Sequence, residues 1–250
     1  MRRVVILGAG NATHADGRAH TSLLAESTAG ELLLLDAGAT VLHRLRRRRA
    51  SAFERESLSR LDAVLVTHFH GDHVLGLPLI LLHLSIDLRR SRPLAIFGPR
   101  GIEEHVRRLQ ELAYPGFTLG FDLRFVTMTA GPHQLGSVTV TGLPVTHKPE
   151  SLAYRLTGPA GRTVAYSGDA AFDDLLFEAV RGADLAVLEL SLLQQPDPPL
   201  PHVSLEEVRR RPGALEARRV VFVHTDDELA AAVRRDGPFE AAEEGAEIAV

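Results

Sequence analysis

Short runs of Val, Leu, Ile and Ala recur along the chain, separated by clusters of Gly, Pro, Asp and Ser. Runs of that length bounded by turn residues read as strands. They fall at Arg3–Leu7, Ser22–Glu26, Leu32–Asp36, Ala63–Thr67, Leu94–Phe97, Leu123–Thr127, Val138–Pro144, Ala153–Leu156, Thr163–Ser167, Leu185–Leu190 and Val220–His224. Longer segments read as helices at Val41–Ala52, Val74–Leu84, Ile102–Leu112, Asp173–Val180, Leu205–Arg211 and Glu228–Arg235. The helix at Leu205 has the clearest start, because Ser204 and Glu207 form a capping box and Pro212 stops it. Helices follow strands in several places, but strands also follow strands. That mixture predicts two mixed sheets covered by helices, not one parallel sheet. No linker divides the chain: Pro196–Pro201 is a stiff loop, and residues 1–250 are expected to form one domain.

Composition narrows the chemistry. The 250 residues are 45% hydrophobic and 24% charged, ordinary for a folded protein and unlike a disordered one. With no cysteine, thiolate metal sites, disulfides and cysteine nucleophiles are excluded. Twelve histidines leave imidazole and carboxylate as the metal ligands. The net charge of −4 gives no global attraction to nucleic acid. The N-terminal run Val4–Leu7 stops at Gly8-Ala9-Gly10, too short for a signal peptide. The longest apolar stretch, Val74–Leu82, contains Pro78 and is too short to span a bilayer. A soluble, cytoplasmic protein without a membrane partner is expected.

Chemistry concentrates in one hexapeptide. The apolar run Leu61–Thr67 leads straight into His68-Phe69-His70-Gly71-Asp72-His73. Residues two apart in an extended chain point to the same side, so His68 and His70 can share one cation. Gly71 permits a reversal, after which Asp72 and His73 reach a second point nearby. Four such groups split two and two suit a two-metal site. As merely structural residues, three histidines and an aspartate would need many separate hydrogen-bond partners.

Thr67-His68-Phe69-His70-Gly71-Asp72-His73 resembles the signature of the metallo-β-lactamase superfamily. The resemblance implies an α+β fold, a four-layer αββα sandwich of two mixed sheets flanked by helices. It also implies further ligands at His147 (in Val145-Thr146-His147), at Asp169 (in Ser167-Gly168-Asp169) and at His224, closing Val220–His224. By that resemblance His68, His70 and His147 hold one metal, and Asp72, His73 and His224 hold the other, with Asp169 bridging. The cofactors are then two divalent ions, zinc first, with manganese or iron compatible with the same ligands.

Leu188-Glu189-Leu190-Ser191 and His202-Val203-Ser204 resemble motifs of the ribonuclease Z-like branch, as does Gly17–Ser22. The branch's Asp-Thr stands here as Asp169-Ala170, and its Glu-Ala-Thr as Glu189-Leu190-Ser191. The resemblance implies that Glu189 orients His202 as a general acid, with Asp72 orienting the nucleophile. Members that trim tRNA carry an arm between the third histidine and the bridging aspartate. Here those residues lie 22 positions apart, and two strands with their hairpin use nearly all of that length. The expected substrate is therefore a small phosphodiester or short nucleic acid. The alternative is a carboxylic or sulfuric ester, lactone or thioester on the same site, and a non-catalytic binding protein ranks third. A homodimer is suggested by the resemblance alone.

Other features have plainer readings. Arg44 and Arg46–Arg49 read as a solvated helix face before an RNA contact. Gly8-Ala9-Gly10 reads as a tight turn, since position 13 is Thr and no dinucleotide-binding unit follows. His14, His20, His43, His83, His105 and His133 are expected to be structural, with His20 nearest the site floor. Phe69 is expected either to line the pocket or to support its loop.

Overall fold

Alternate residues of a strand face opposite ways. In this protein both directions are buried: Val4 and Ile6 face a central layer, and Val5 and Leu7 face an outer one. The computed structural model, which describes residues 1–13, 15–47, 55–128 and 131–250, shows two seven-stranded sheets. The first contains β1 (Arg3–Gly8), β2 (Ser22–Glu26), β3 (Leu32–Leu35), β4 (Ala63–Leu65), β5 (Leu94–Gly98), β6 (Leu123–Thr127) and β14 (Glu247–Ala249). Its order is β14-β1-β2-β3-β4-β5-β6. The second contains β7 (Pro132–Leu135), β8 (Val138–Pro144), β9 (Leu152–Thr157), β10 (Thr163–Tyr166), β11 (Leu185–Glu189), β12 (Val220–Val223) and β13 (Glu240–Ala241), in the order β13-β12-β11-β10-β9-β8-β7. Both sheets are mixed. Pairing is antiparallel from β14 to β3 and parallel from β3 to β6. It is likewise antiparallel from β7 to β10 and parallel from β10 to β13.

The inner faces of both sheets pack together through Ile6, Leu33, Leu65, Val140, Tyr154, Tyr166 and Val187, among others. Helices α1 (Val41–Arg47), α2 (Gly71–Val74), α3 (Leu77–Ile86) and α4 (Ile102–Ala113) cover the outer face of the first sheet. Helices α5 (Asp174–Val180), α6 (Leu205–Arg210) and α7 (Asp227–Asp236) cover that of the second. The architecture is the expected αββα sandwich. No helix among the described residues is long and apolar enough to cross a membrane.

Several expectations need correction. The single helix expected over Val74–Leu84 is two, because the chain breaks at Leu75-Gly76. A Cβ on Gly76 would lie 2.2 Å from the Gly38 carbonyl oxygen, and the Gly76 N–H donates to Ala37 O at 2.7 Å. This close approach, with Pro78 in the first turn of α3, restarts the helix. Strands β7 and β13 were not expected: β7 is polar at His133 and Gln134, and β13 has two residues. The helix expected over Val41–Ala52 is described as far as Arg47, and its end lies outside the described residues. The capping box of α6 is present, and Asp173 caps α5. Between His147 and Asp169 the chain forms β9, the Gly158–Arg162 turn and β10, which leaves no length for an arm.

Candidate metal centre

The segments that carry the seven expected ligands, and Glu189, each follow or end a strand. His68–His73 follows β4, His147 follows β8, Asp169 follows β10, Glu189 ends β11 and His224 follows β12. The structure brings the seven expected ligands together. His68, His70, His147 and Asp169 form one group, and Asp72, His73, Asp169 and His224 form another; within each, the candidate ligand atoms lie within 4.8 Å of one another. Asp169 belongs to both. Its Oδ2 faces His68 Nε2 (3.8 Å) and His147 Nε2 (3.7 Å), and its Oδ1 faces His73 Nε2 (3.3 Å) and His224 Nε2 (3.5 Å). Asp72 Oδ2 is 3.2 Å from both His73 Nε2 and His224 Nε2.

These separations suit cations. Two ligand atoms on a tetrahedral zinc stand about 3.3–3.6 Å apart, given bonds of about 2.0–2.2 Å. His68 Nε2, His73 Nε2 and Asp169 Oδ1 are buried and make no hydrogen bond. Such atoms are costly in a folded interior unless something fills the space between them.

The outer nitrogens have partners of their own. His73 Nδ1 donates to Asp36 Oδ2 at 2.7 Å, and His147 Nδ1 donates to Pro201 O at 3.1 Å. His68 Nδ1 donates to Thr67 Oγ1 at 3.0 Å, and His224 Nδ1 donates to Ser191 Oγ at 2.8 Å. In the neutral ring, the form that binds a metal, the network thereby assigns the tautomer that turns an Nε2 lone pair inward in all four. His70 turns its Nδ1 inward instead, 3.3 Å from His147 Nε2.

Asp36 and Glu189 anchor this network. Asp36 Oδ1 accepts from Thr67 N–H, and its Oδ2 accepts from Thr67 Oγ–H and Tyr166 O–H as well as from His73. Glu189 Oε1 accepts from Ala170 N–H at 3.0 Å and from His202 Nδ1 at 2.8 Å, and its Oε2 accepts from Ser191 Oγ–H. The His202 ring lies 4.8 Å from that of His147 and 6.2 Å from that of His224. Sequence reading places Asp36 at the end of a strand and gives neither Asp36 nor Ser191 a role. The signal for Asp36 is an acid closing an apolar run, Leu32–Leu35.

Electrostatics divide the centre. Burial holds His68 down at about 2 and also lowers His70 and His147, leaving three neutral donors. Burial opposes charge on His73 and His224 too, but Asp169, with Asp36 for the first and Asp72 for the second, raises both. Burial would raise Asp72 and Asp169, but His224 and His73 outweigh it and keep both ionised. The second group thus attracts positive charge, which a divalent ion supplies with release of protons.

A profile of the beta-lactamase superfamily domain matches residues 32–225. This chain belongs to the β-lactamase superfamily. Within that superfamily its relatives include Ribonuclease Z of Methanothermobacter thermautotrophicus, 32% identical over 62% of this chain and 47% of that protein. The chain therefore spans about half the length of that curated relative. Among solved structures, the metallo-beta-lactamase fold protein YhfI from Bacillus subtilis has TM-score 0.78 at 21% identity, with 99% of each chain covered. A diphosphatase from the PhnP family has TM-score 0.77 at 19% identity, covering 99% of this chain and 97% of that one. These likenesses confirm the metallo-β-lactamase fold.

Several of the remaining features have structural partners. Arg44 donates to Leu7 O and pairs with Glu244, which makes it a clasp rather than an RNA contact. Arg48, Arg49 and His14 lie outside the described residues. Gly8-Ala9-Gly10 is not the tight turn expected: Gly8 ends β1, and Gly10 pairs with His20 in a β-bridge, both glycines lying against the backbone of Ala19. His20 is buried beside Gly38 under the site. His83 bonds Asp87 at 2.6 Å, and His133 packs edge-on to Phe97. Phe69 packs on the core beneath α4 and stacks on His105 at 4.2 Å, so it supports its loop.

Proposed function

We propose that this protein is a metal-dependent phosphodiesterase, acting on a small phosphodiester or short nucleic acid. In this reading His68, His70 and His147 hold one divalent ion, and Asp72, His73 and His224 hold a second, with Asp169 shared. Zinc suits the donor set best. Divalent ions bound there would neutralise phosphoryl charge and lower the pKa of water.

The observation that carries the phosphorus reading is the Glu189–His202 pair. A departing alkoxide is a strong base and needs a proton. Burial works against a charged His202, but the Glu189 hydrogen bond and charge outweigh it and raise its pKa above 6.5. His202 is thus a proton donor near neutrality, and its ring lies close to a member of each ligand group, 4.8 Å from the His147 ring and 6.2 Å from that of His224. Asp72 is ionised and can accept a hydrogen bond from the attacking water. The names of the relatives, a ribonuclease and a diphosphatase, agree with scission at phosphorus.

The test is a substrate panel with zinc-loaded protein: bis-p-nitrophenyl phosphate, an aryl sulfate and a lactone. Preferential turnover of the phosphodiester is expected. Lactone or sulfate hydrolysis without phosphodiester hydrolysis moves the chemistry to another ester class.

A further inference from the structure

The loop Leu193–His202 does more than connect β11 to α6. Two adjacent residues at its C-terminal end touch different parts of the centre. Pro201 O accepts from His147 Nδ1 at 3.1 Å, and the next residue, His202, donates from Nδ1 to Glu189 at 2.8 Å. One side chain closes this loop on itself. Gln195 Nε2 donates to His202 O at 2.6 Å and to Glu207 Oε2 at 2.9 Å, while its Oε1 accepts from Leu200 N–H at 3.1 Å. Glu207 is fixed in turn by the capping box of α6, through Ser204 N–H and Oγ–H. The His202 N–H donates to Leu200 O at 2.8 Å, so both sides of the histidine's backbone are held.

We propose that Gln195 is a positioning residue for the reaction: its carboxamide fixes the backbone of His202, and through Pro201 the orientation of His147. The inference rests on the proposed role of His202 as proton donor. A carboxamide is the group the position requires. It offers two N–H donors to a carbonyl and a carboxylate, and one acceptor to a backbone amide. A glutamate there would place a second carboxylate against Glu207. Without the brace, the imidazole can drift from the line of the leaving oxygen. Small misplacements of a reacting group cost up to about 100-fold in rate.

The experiment compares two leaving groups in zinc-loaded protein. The p-nitrophenolate of bis-p-nitrophenyl phosphate departs with little help, whereas the sugar hydroxyl of a dinucleotide needs a proton. His202→Ala calibrates the assay and should lose far more activity on the dinucleotide than on the aryl ester. Gln195→Ala should repeat that asymmetry on a smaller scale, with kcat down about tenfold on the dinucleotide and much less on the aryl ester. Zinc content should stay at the wild-type level. Gln195→Glu, as a second variant, should regain dinucleotide activity relative to wild type as the pH falls and its carboxyl becomes a donor. Equal losses of Gln195→Ala on both substrates, or no loss on either, overturn the positioning role while the acid role stands. A His202→Ala variant without the asymmetry overturns the acid role, and the positioning role with it.

Discussion

Asp36 Oδ2 lies 2.7 Å from His73 Nδ1, at the floor of the site. The carboxylate is fully buried, sits at φ 56°, and takes donors from three other atoms besides this histidine. It is the acceptor that fixes which nitrogen His73 turns inward. Asp36→Asn tolerates the same left-handed backbone but sets an amide N–H₂ against His73, Thr67 and Tyr166 donors. Metal affinity should fall about 10–100-fold, as for other losses of a ligand's hydrogen-bond partner. A zinc-chelator competition titration measures this, with circular dichroism to confirm folding. Unchanged affinity removes Asp36 from the metal-holding network.

The activity of a proton donor is lost as pH rises through its pKa. For His202 that value is raised: burial lowers it, and the bond and charge of Glu189 more than compensate. Dinucleotide turnover should therefore persist above pH 6.5 and then decline. Glu189→Gln removes the largest raising influence and leaves the burial and the smaller effect of Asp169, so the alkaline limb of kcat should move to lower pH. Its position in a full pH profile decides this. A limb that stays in place belongs to another group.

Much of this site is legible in the sequence. The His68–His73 hexapeptide carries its pattern locally, because a strand end and one glycine reversal are enough to place four polar side chains. His147, Asp169 and His224 follow β8, β10 and β12, and the resemblance to the superfamily, not the hydrophobic pattern, picks them out. What the pattern hides depends on contacts between distant segments. Gly76 breaks a helix because Gly38 approaches it, and no local signal shows that approach. Strands β7 and β13 exist through pairing with β8 and β12, not through their own propensity. Asp36 and Gln195 look like ordinary polar residues until their partners, 37 and 7 or 12 positions away, are seen.

Away from the site, Glu31 joins the two sheets. It lies in the turn between β2 and β3, bonded to Ser27, and accepts from Ser137 N–H at 2.6 Å and Ser137 Oγ–H at 3.0 Å, in the turn between β7 and β8. Burial would raise its pKa, but these hydrogen bonds outweigh it and hold the carboxyl at about 2, below the ordinary 4.5. The sign follows from linkage: a depressed folded pKa contributes stability that is present above 4.5 and lost as pH falls toward about 2. Glu31→Gln should therefore narrow the gap to wild type in urea midpoint across that window, with the difference largest at neutral pH. A gap independent of pH separates the clasp from ionisation.

Gly38 shows how closely the metal loop is packed on its support. An added Cβ would stand 2.0 Å from the Asp72 carbonyl oxygen and 2.7 Å from His20 Cβ. Neither neighbour can yield cheaply, since one is backbone beside a candidate ligand and the other is a buried ring's attachment point. Gly38→Ala must therefore displace α2, which carries Asp72 and His73. Overpacking of this kind costs about 1–3 kcal/mol or more. Because the same shift moves two of the side chains in the second group, zinc content should fall along with the urea midpoint. Gly30→Ala is the control: its nearest neighbour is the flexible tip of Arg60 at 3.7 Å, but its φ of +100° strains any side chain. That variant should lose stability without losing zinc, so retention of full zinc binding by Gly38→Ala would separate the packing of this loop from the geometry of the centre.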